Sequence, residues 1–274
     1  MKFAVIALVC FASTFVAADE EFLDWGRITP RHVTVEPIGP PEPVVPDSRI
    51  VNGQVAARHQ FPYQVALIIN NGGFCGGSII SQRCVLTAAH CIDGTISSIQ
   101  VIAGAHQPMV NEVSQVRLAA SGRSLHTGWN SRTMQNDIAI VRVTNIPLRA
   151  GTISIVNLAP ANSGTFAGST ATLSGWGRTS DASNAIANQL MTVQLPILTN
   201  AVCQQSFGSM IVAQHICTSG QNGRGACNGD SGGPIVVNGL QVGIVSFGNR
   251  VCSAGFPTVY ARVSHFMSWI QSNC

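Results

Sequence analysis

The chain has 274 residues, 46% of them hydrophobic and only 10% charged, with a formal net charge of +3. That is ample apolar material for a core and too little charge for a disordered chain. Its basic residues are scattered, not gathered into a patch that would grip nucleic acid, so no nucleic-acid partner is expected.

Residues Met1 to Ala18 read as a secretory signal peptide. Lys2 gives the positive start, Phe3 to Ala12 the apolar run, and Val16-Ala17-Ala18 the small residues of a cleavage site. A membrane anchor is the competing reading, but the run is short for a bilayer and Asp19 and Glu20 follow at once. A secreted, extracellular monomer without membrane attachment is expected. Asp19 to Arg49 then holds six of the thirteen prolines and seven of the twelve acids. Such a stretch is expected to be extended and poorly packed. Composition turns globular at Ser48-Arg49-Ile50-Val51-Asn52-Gly53, so residues 19–49 read as a propeptide ahead of a domain spanning 50–274, with a plain linker as the alternative. Beyond Arg49 the chain carries eleven arginines, no lysine and five acids, a net +6. Arginine holds its charge at pH values where lysine, with a reference pKa of about 10.4, begins to lose it.

Nine cysteines fit an oxidising compartment. Cys10 lies in the signal peptide and eight remain, an even count that points to four disulfides. A zinc site competes with that reading, but no Cys-x-x-Cys pair occurs.

Runs rich in Val, Ile and Thr at 64–69, 84–87, 99–103, 138–143, 170–174, 189–195, 235–237, 241–247 and 258–263 predict short strands, separated by Gly and Asn turns. Many short strands and few helices indicate a barrel or a sandwich. Residues 157–168, with Pro160 and two glycines, could join two halves. At the end, Val263, Phe266, Met267 and Ile270 fall on one face of a terminal helix.

The chemistry concentrates in three segments. Gly229-Asp230-Ser231-Gly232-Gly233-Pro234 sets a serine among glycines whose bare backbone can turn N–H groups toward a substrate oxygen. Taken alone, such a hexapeptide can equally be a β-turn. Thr87-Ala88-Ala89-His90-Cys91 places a histidine at the end of a strand, and Asn136-Asp137-Ile138-Ala139 an acid at the head of one. A hydroxyl, an imidazole to take its proton and a carboxylate to orient the imidazole are what acyl transfer from an amide requires.

With these motifs, and with Arg49-Ile50-Val51-Asn52-Gly53, Cys75-Gly76-Gly77-Ser78, Ser174-Gly175-Trp176-Gly177 and Ser246-Phe247-Gly248, the chain resembles the chymotrypsin family of serine proteases through nearly all of 50–274. The resemblance implies an all-β fold of two six-stranded antiparallel β-barrels with a C-terminal helix and the active site in the crevice between them. It implies Ser231 as nucleophile, His90 as base and Asp137 as its orienting carboxylate, with an oxyanion hole from the N–H groups of Gly229 and Ser231. Ser246 would support Asp137, and the Ser246–Gly248 edge would pair with substrate; Phe247 replaces the family's usual tryptophan. Cleavage after Arg49 by a trypsin-like protease would free the Ile50 amine to pair with Asp230. Disulfides Cys75–Cys91, Cys203–Cys217 and Cys227–Cys252 are implied by position. Cys84 and Cys274 are then left over, and because the family's terminal helix lies near the strand carrying Cys84, a fourth bond between them is expected. The calcium loop of trypsins would fall near residues 105–115, where Glu112 is the one acid, so no metal and no cofactor are expected. No Asn-x-Ser/Thr site for N-glycosylation occurs.

Gly225 falls at the base of the primary pocket, where trypsins carry an aspartate. Gly248 leaves one wall open, and Thr258 stands where chymotrypsin has a glycine. The expectation is a chymotrypsin-like digestive endopeptidase that cuts polypeptides after Leu, Phe, Met or Tyr and meets protein protease inhibitors as partners. The alternatives are elastase-like preference, a regulatory protease, or an inactive member serving as a binding scaffold.

Overall fold

The computed structural model describes residues 25–41 and 53–274. Residues 1–18, read as a signal peptide, and the Arg49–Ile50 junction expected to be cut lie outside them. Two short leader strands, β1 (Thr29–Pro30) and β2 (Val33–Thr34), precede β3 (Gln54–Val55). The first barrel follows: β4 (Gln64–Ile69), β5 (Gly73–Ile79), β6 (Cys84–Thr87), the single turn α1 (Ala89–Ile92), β7 (Ile99–Ala103), β8 (Val116–Leu125) and β9 (Ala139–Val143). Its strands run in the order β5-β4-β7-β8-β9-β6, and β5 pairs with β6 to close the ring. After β10 (Asn157–Leu158), the second barrel uses β11 (Thr170–Gly175), β12 (Met191–Leu198), helix α2 (Asn200–Phe207), β13 (His215–Thr218), β14 (Pro234–Val237), β15 (Leu240–Gly248) and β16 (Thr258–Arg262). The order is β15-β14-β11-β12-β13-β16, closed by β15–β16. The pairings within both rings are antiparallel. Two six-stranded antiparallel barrels are therefore present, and residues 157–168 fall in the connection between them.

Alternation along β4 shows how the first barrel is filled. Val65, Leu67 and Ile69 point into the central core, while Ala66 and Ile68 join a second cluster with Phe74, Ile102 and Trp176. Both faces are buried, so the strand reads as a continuous apolar run. The C-terminal helix α3 (Met267–Asn273) follows a 3-10 turn at Val263–His265, and Val263 of the turn, Phe266 between them and Ile270 of the helix pack on the core of the first barrel. Cys84–Cys274 ties that chain end to β6, and the other three disulfides are Cys75–Cys91, Cys203–Cys217 and Cys227–Cys252.

Among the barrel strands β5, β8 and β13 escaped the sequence reading, as did helix α2. β5 carries glycines where strand formers are expected, β8 is partly exposed along its length and bulged between Ala120 and Gly122, and β13 is only four residues long. Helix α2 is started by the Thr199 hydroxyl, which accepts from the Val202 N–H at 3.2 Å, and has little apolar periodicity to announce it.

The leader requires a correction. It is extended, as its prolines dictate, but residues 27–39 are not poorly packed. β1 adds in parallel to β5, with Pro30 opposite Phe74, and β2 adds in parallel to β15, with Val33 opposite Phe247. Val33 and Val35 cover an apolar cluster that includes Met134, Phe207 and Phe247. The edge hydrogen bonds and this apolar contact outweigh the cost of ordering a segment that proline has already stiffened.

Candidate active site

The site is assembled where the barrels meet. Ser78 of β5 donates to Gln241 of β15 at 2.7 Å, and Ser174 of β11 donates to Gln64 of β4 at 2.7 Å, so the facing walls are joined by buried hydrogen bonds. His90 sits in α1, the one turn that follows β6, and the disulfide Cys75–Cys91 fastens its neighbour to β5. Asp137 heads β9 after Asn136, whose left-handed φ of 58° swings the chain inward. Its carboxylate is 1% exposed and accepts three hydrogen bonds: from the His90 N–H at 2.9 Å, from His90 Nδ1 at 2.8 Å and from Ser246 Oγ at 2.5 Å. A carboxylate can only accept here, so His90 carries its proton on Nδ1 and leaves Nε2 free to take one.

Ser231 lies in the turn between Cys227 and β14, held by Asp230 N–H to Cys227 O and Gly233 N–H to Asp230 O, both at 2.9 Å. The Gly76 N–H donates to the Ser231 carbonyl at 2.7 Å. At Gly232 a Cβ would overlap the Thr87 hydroxyl and the Gly76 carbonyl, so the turn is pressed against the strand end that delivers His90. Gly229 has φ 101°, a conformation L side chains rarely adopt.

Asp230 points the other way from Ser231. It accepts from Gly177 N–H at 2.7 Å and Cys227 N–H at 3.0 Å. Side chains on Gly175 or Gly177 would overlap its carboxylate, which explains the two glycines flanking Trp176. Burial pushes the Asp230 carboxyl up to about 6, and the two backbone N–H groups pull against that rise.

At the predicted specificity pocket, Gly225 and Thr258 face each other. A Cβ on Gly225 would lie 2.8 Å from Thr258 Oγ1, and the same hydroxyl oxygen accepts from the Ala226 N–H at 3.3 Å. A Cβ on Gly248 would meet nothing within 4 Å. Phe247 turns inward onto Phe207, ring centroids 5.7 Å apart and edge to face.

One participant was missed by sequence reasoning. His32 of the leader brings Nδ1 to 3.5 Å from Ser231 Oγ, and Ser231 is 0% exposed beneath the leader. Burial, with His90 and Arg178 nearby, pushes the His32 imidazole down to about 3. The alternation of Val33 and Val35 with polar neighbours is the only sequence signal that could have marked this stretch as a strand with one apolar face. In the loop of residues 105–115, the Glu112 carboxylate is taken up by the His106 and Gln107 N–H groups and the Arg58 guanidinium, at 2.6, 3.0 and 2.6 Å.

Comparisons with known proteins identify the family. The family model described as Trypsin matches residues 50–270. Brachyurin of Leptuca pugilator is 40% identical over 224 residues, covering 81% of this chain and 97% of that protein. Chymotrypsin of Phaedon cochleariae is 35% identical over 279 residues, covering 100% of this chain and 98% of its own. Trypsin I-P1 of Gallus gallus is 38% identical over 230 residues, covering 82% and 89%. With two closed barrels and four disulfides in the structure and these matches over most of its length, the chain belongs to the trypsin family of serine proteases and is a serine endopeptidase.

Proposed function

We propose that this chain is the precursor of a secreted digestive endopeptidase that cuts after medium and large apolar residues. Ser231 attacks the scissile carbonyl carbon and His90 Nε2 takes its proton. Asp137, held by Ser246, keeps the His90 proton on Nδ1 and stabilises the imidazolium. The N–H groups of Gly229 and Ser231 receive the oxyanion; losing one such donor costs about 10²–10³ in rate. The C–N bond breaks as His90 returns the proton to the leaving amine, and water then releases the acyl group by the same route.

The observation that carries the specificity is the pair Gly225 and Thr258. Position 225 itself brings no carboxylate to the pocket base, so a substrate Lys or Arg would find no partner there and would be costly to desolvate. The Thr258 methyl and hydroxyl narrow the slot, which favours Leu, Phe, Met or Tyr and disfavours Trp. The whole-length similarity to a protein named chymotrypsin supports the digestive reading. Activation is read as cleavage after Arg49 by a trypsin-like protease, with the freed Ile50 ammonium pairing with Asp230; protein protease inhibitors are the further expected partners, and a monomer the expected state. Among the described residues no helix is long and apolar enough to cross a membrane.

Two measurements test this. A fluorophosphonate should label Ser231 in the cleaved protein, and no labelling would leave the scaffold reading. A profile of cleaved peptides should show Leu, Phe, Met and Tyr before the cut; Arg as the best residue refutes the pocket assignment, and Ala or Val would make the enzyme elastase-like.

A further inference from the structure

The cleft already contains a peptide, and it runs backwards. On the proposed function, as the family resemblance implies, the acyl part of a substrate lies along Ser246–Gly248 with its side chain in the Gly225/Thr258 pocket, and the leaving part continues toward the edge of β5. The substrate chain therefore runs from β15 to β5. The leader does the reverse: it meets β5 first, through Thr29 and Pro30, and β15 afterwards, through Val33 and Thr34.

The contacts are those of a built ligand. Thr29 N–H donates to Gly72 O at 2.6 Å, Arg31 N–H to Phe74 O at 2.9 Å and Val35 N–H to Gly248 O at 3.0 Å. Ile38 N–H donates to Ser206 O at 2.7 Å, extending the contact to α2. The Arg31 guanidinium reaches the Cys91 carbonyl, beside His90, at 3.0 Å. Edge-strand pairing of this kind supplies affinity through the main chain and selectivity through alternate side chains. Here those side chains are Val33 and Val35, on the apolar cluster of Met134, Phe207 and Phe247. At the reacting centre the group facing Ser231 Oγ is an imidazole nitrogen of His32, not a carbonyl carbon. Pro30, which has no N–H, packs against Gly229: a Cβ there would lie 3.4 Å from Pro30 Cβ.

We propose that residues 27–39 are a reverse-polarity peptide ligand of the substrate cleft, which blocks the enzyme without being cut and goes on blocking it after cleavage at Arg49 until it dissociates. The proposal rests on the protease reading of the same site. It adds a second step to activation: residues 19–49 contain no cysteine, so nothing covalent retains the leader once the chain is cut. The occupant is a defined peptide of this chain, and the same peptide should act when supplied in trans.

The test uses the full precursor with Val45→Asp, Pro46→Asp, Ser48→Asp and Arg49→Lys, which writes an enteropeptidase site around Asp47 and spares Arg27 and Arg31. After complete cleavage, activity on a short chromogenic peptide should lag and should rise on dilution or on separation of the leader by gel filtration. Synthetic peptide 25–41 added back at about ten times its Kd should raise the apparent KM about tenfold while leaving kcat unchanged. The peptide should emerge uncut by mass spectrometry. Val33→Asp with Val35→Asp in the peptide should weaken it at least about tenfold, because the carboxylates would enter an apolar cluster. Anisotropy of fluorescein-labelled peptide on the separated enzyme gives a readout independent of turnover. Activity that appears in step with cleavage, together with no KM effect and no anisotropy change at about 1 mM peptide, overturns the proposal. So does hydrolysis of the peptide between Thr29 and Val35. Binding without hydrolysis of any substrate would instead overturn the protease reading and leave the cleft ligand standing.

Discussion

Replacing Asp230 by asparagine should have opposite consequences before and after the chain is cut. In the precursor Ile50 is still bonded to Arg49, so no α-ammonium exists to face the Asp230 carboxylate. Burial raises that carboxyl from its reference 3.8 to about 6. A raised carboxyl favours folding while protonated: its contribution is complete below about pH 4 and is lost as pH climbs through about 6. At about 1.4 kcal/mol per pKa unit, the loss is about 3 kcal/mol. A carboxamide at this position does not titrate, so the stability of the Asp230→Asn variant relative to wild type should improve by that amount between about pH 4 and 8. A constant cost of about 1–3 kcal/mol opposes it, because the amide NH₂ must face one of the two N–H donors, Gly177 or Cys227. Urea unfolding of precursors carrying Ser231→Ala and Arg49→Gln measures the difference, and a melting curve should register the swing as about 6–12 °C for a domain of this size. After cleavage of otherwise wild-type chains the sign reverses: removing one partner of a buried ion pair costs about 3–5 kcal/mol, so the cut Asp230→Asn enzyme should lose activity at least about 10²-fold. A stability difference that is flat with pH, or a fully active cut variant, refutes the reasoning.

Four further outcomes are expected. Arg49→Gln precursor treated with trypsin should stay inactive, and activity equal to the cut wild type would remove Ile50 from the mechanism. Ser246→Ala takes a donor from the buried Asp137 carboxylate and should lower kcat about tenfold with KM little changed, read with a short amide substrate. Gly225→Asp alone should not confer cleavage after Arg, because its Cβ would crowd Thr258 Oγ1; only with Thr258→Gly should activity on Arg substrates appear in a peptide profile. Cys84→Ser with Cys274→Ser opens a bond spanning 190 residues and should cost about 2–5 kcal/mol in denaturant unfolding, with activity retained at low temperature.

What the sequence disclosed depended on how local the cause was. β4, β6 and β7 coincide with runs of Val, Ile, Leu and Thr because each strand is buried along nearly its whole length, so composition alone marks it. β5 was invisible as a strand because its glycines answer to other parts of the chain: bare backbone at Gly76 lets Gly233 approach, and at Gly77 makes room for Val65 and Val85. His90, Asp137 and Ser231 stood out through short motifs, while the hydrogen bonds that join His90 to Asp137 depend on β6 and β9 bringing distant parts of the chain together. The His32 contact was legible nowhere. A proline-rich acidic segment has the composition of a solvated tail, and only the unpaired edges of β5 and β15, formed by long-range pairing, give it a place to bind.

Those two edges also set the order of events on activation. While the chain is intact, the leader reaches the cleft as part of the same molecule, and a short tether holds it there at an effective concentration on the order of millimolar. A weak ligand is sufficient under that condition, which fits a contact made of edge-strand pairing, one Arg31 hydrogen bond and two valines. On the proposed activation, a cut at Arg49 changes the two restraints differently. For Asp230 it creates a new charge within the same folded unit, so its effect does not depend on protein concentration. For the leader it converts an intramolecular contact into a bimolecular one, and occupancy then falls as the enzyme is diluted. A cleaved but concentrated protein should therefore carry a formed Asp230 pair and a covered Ser231 together, and dilution alone should uncover the serine.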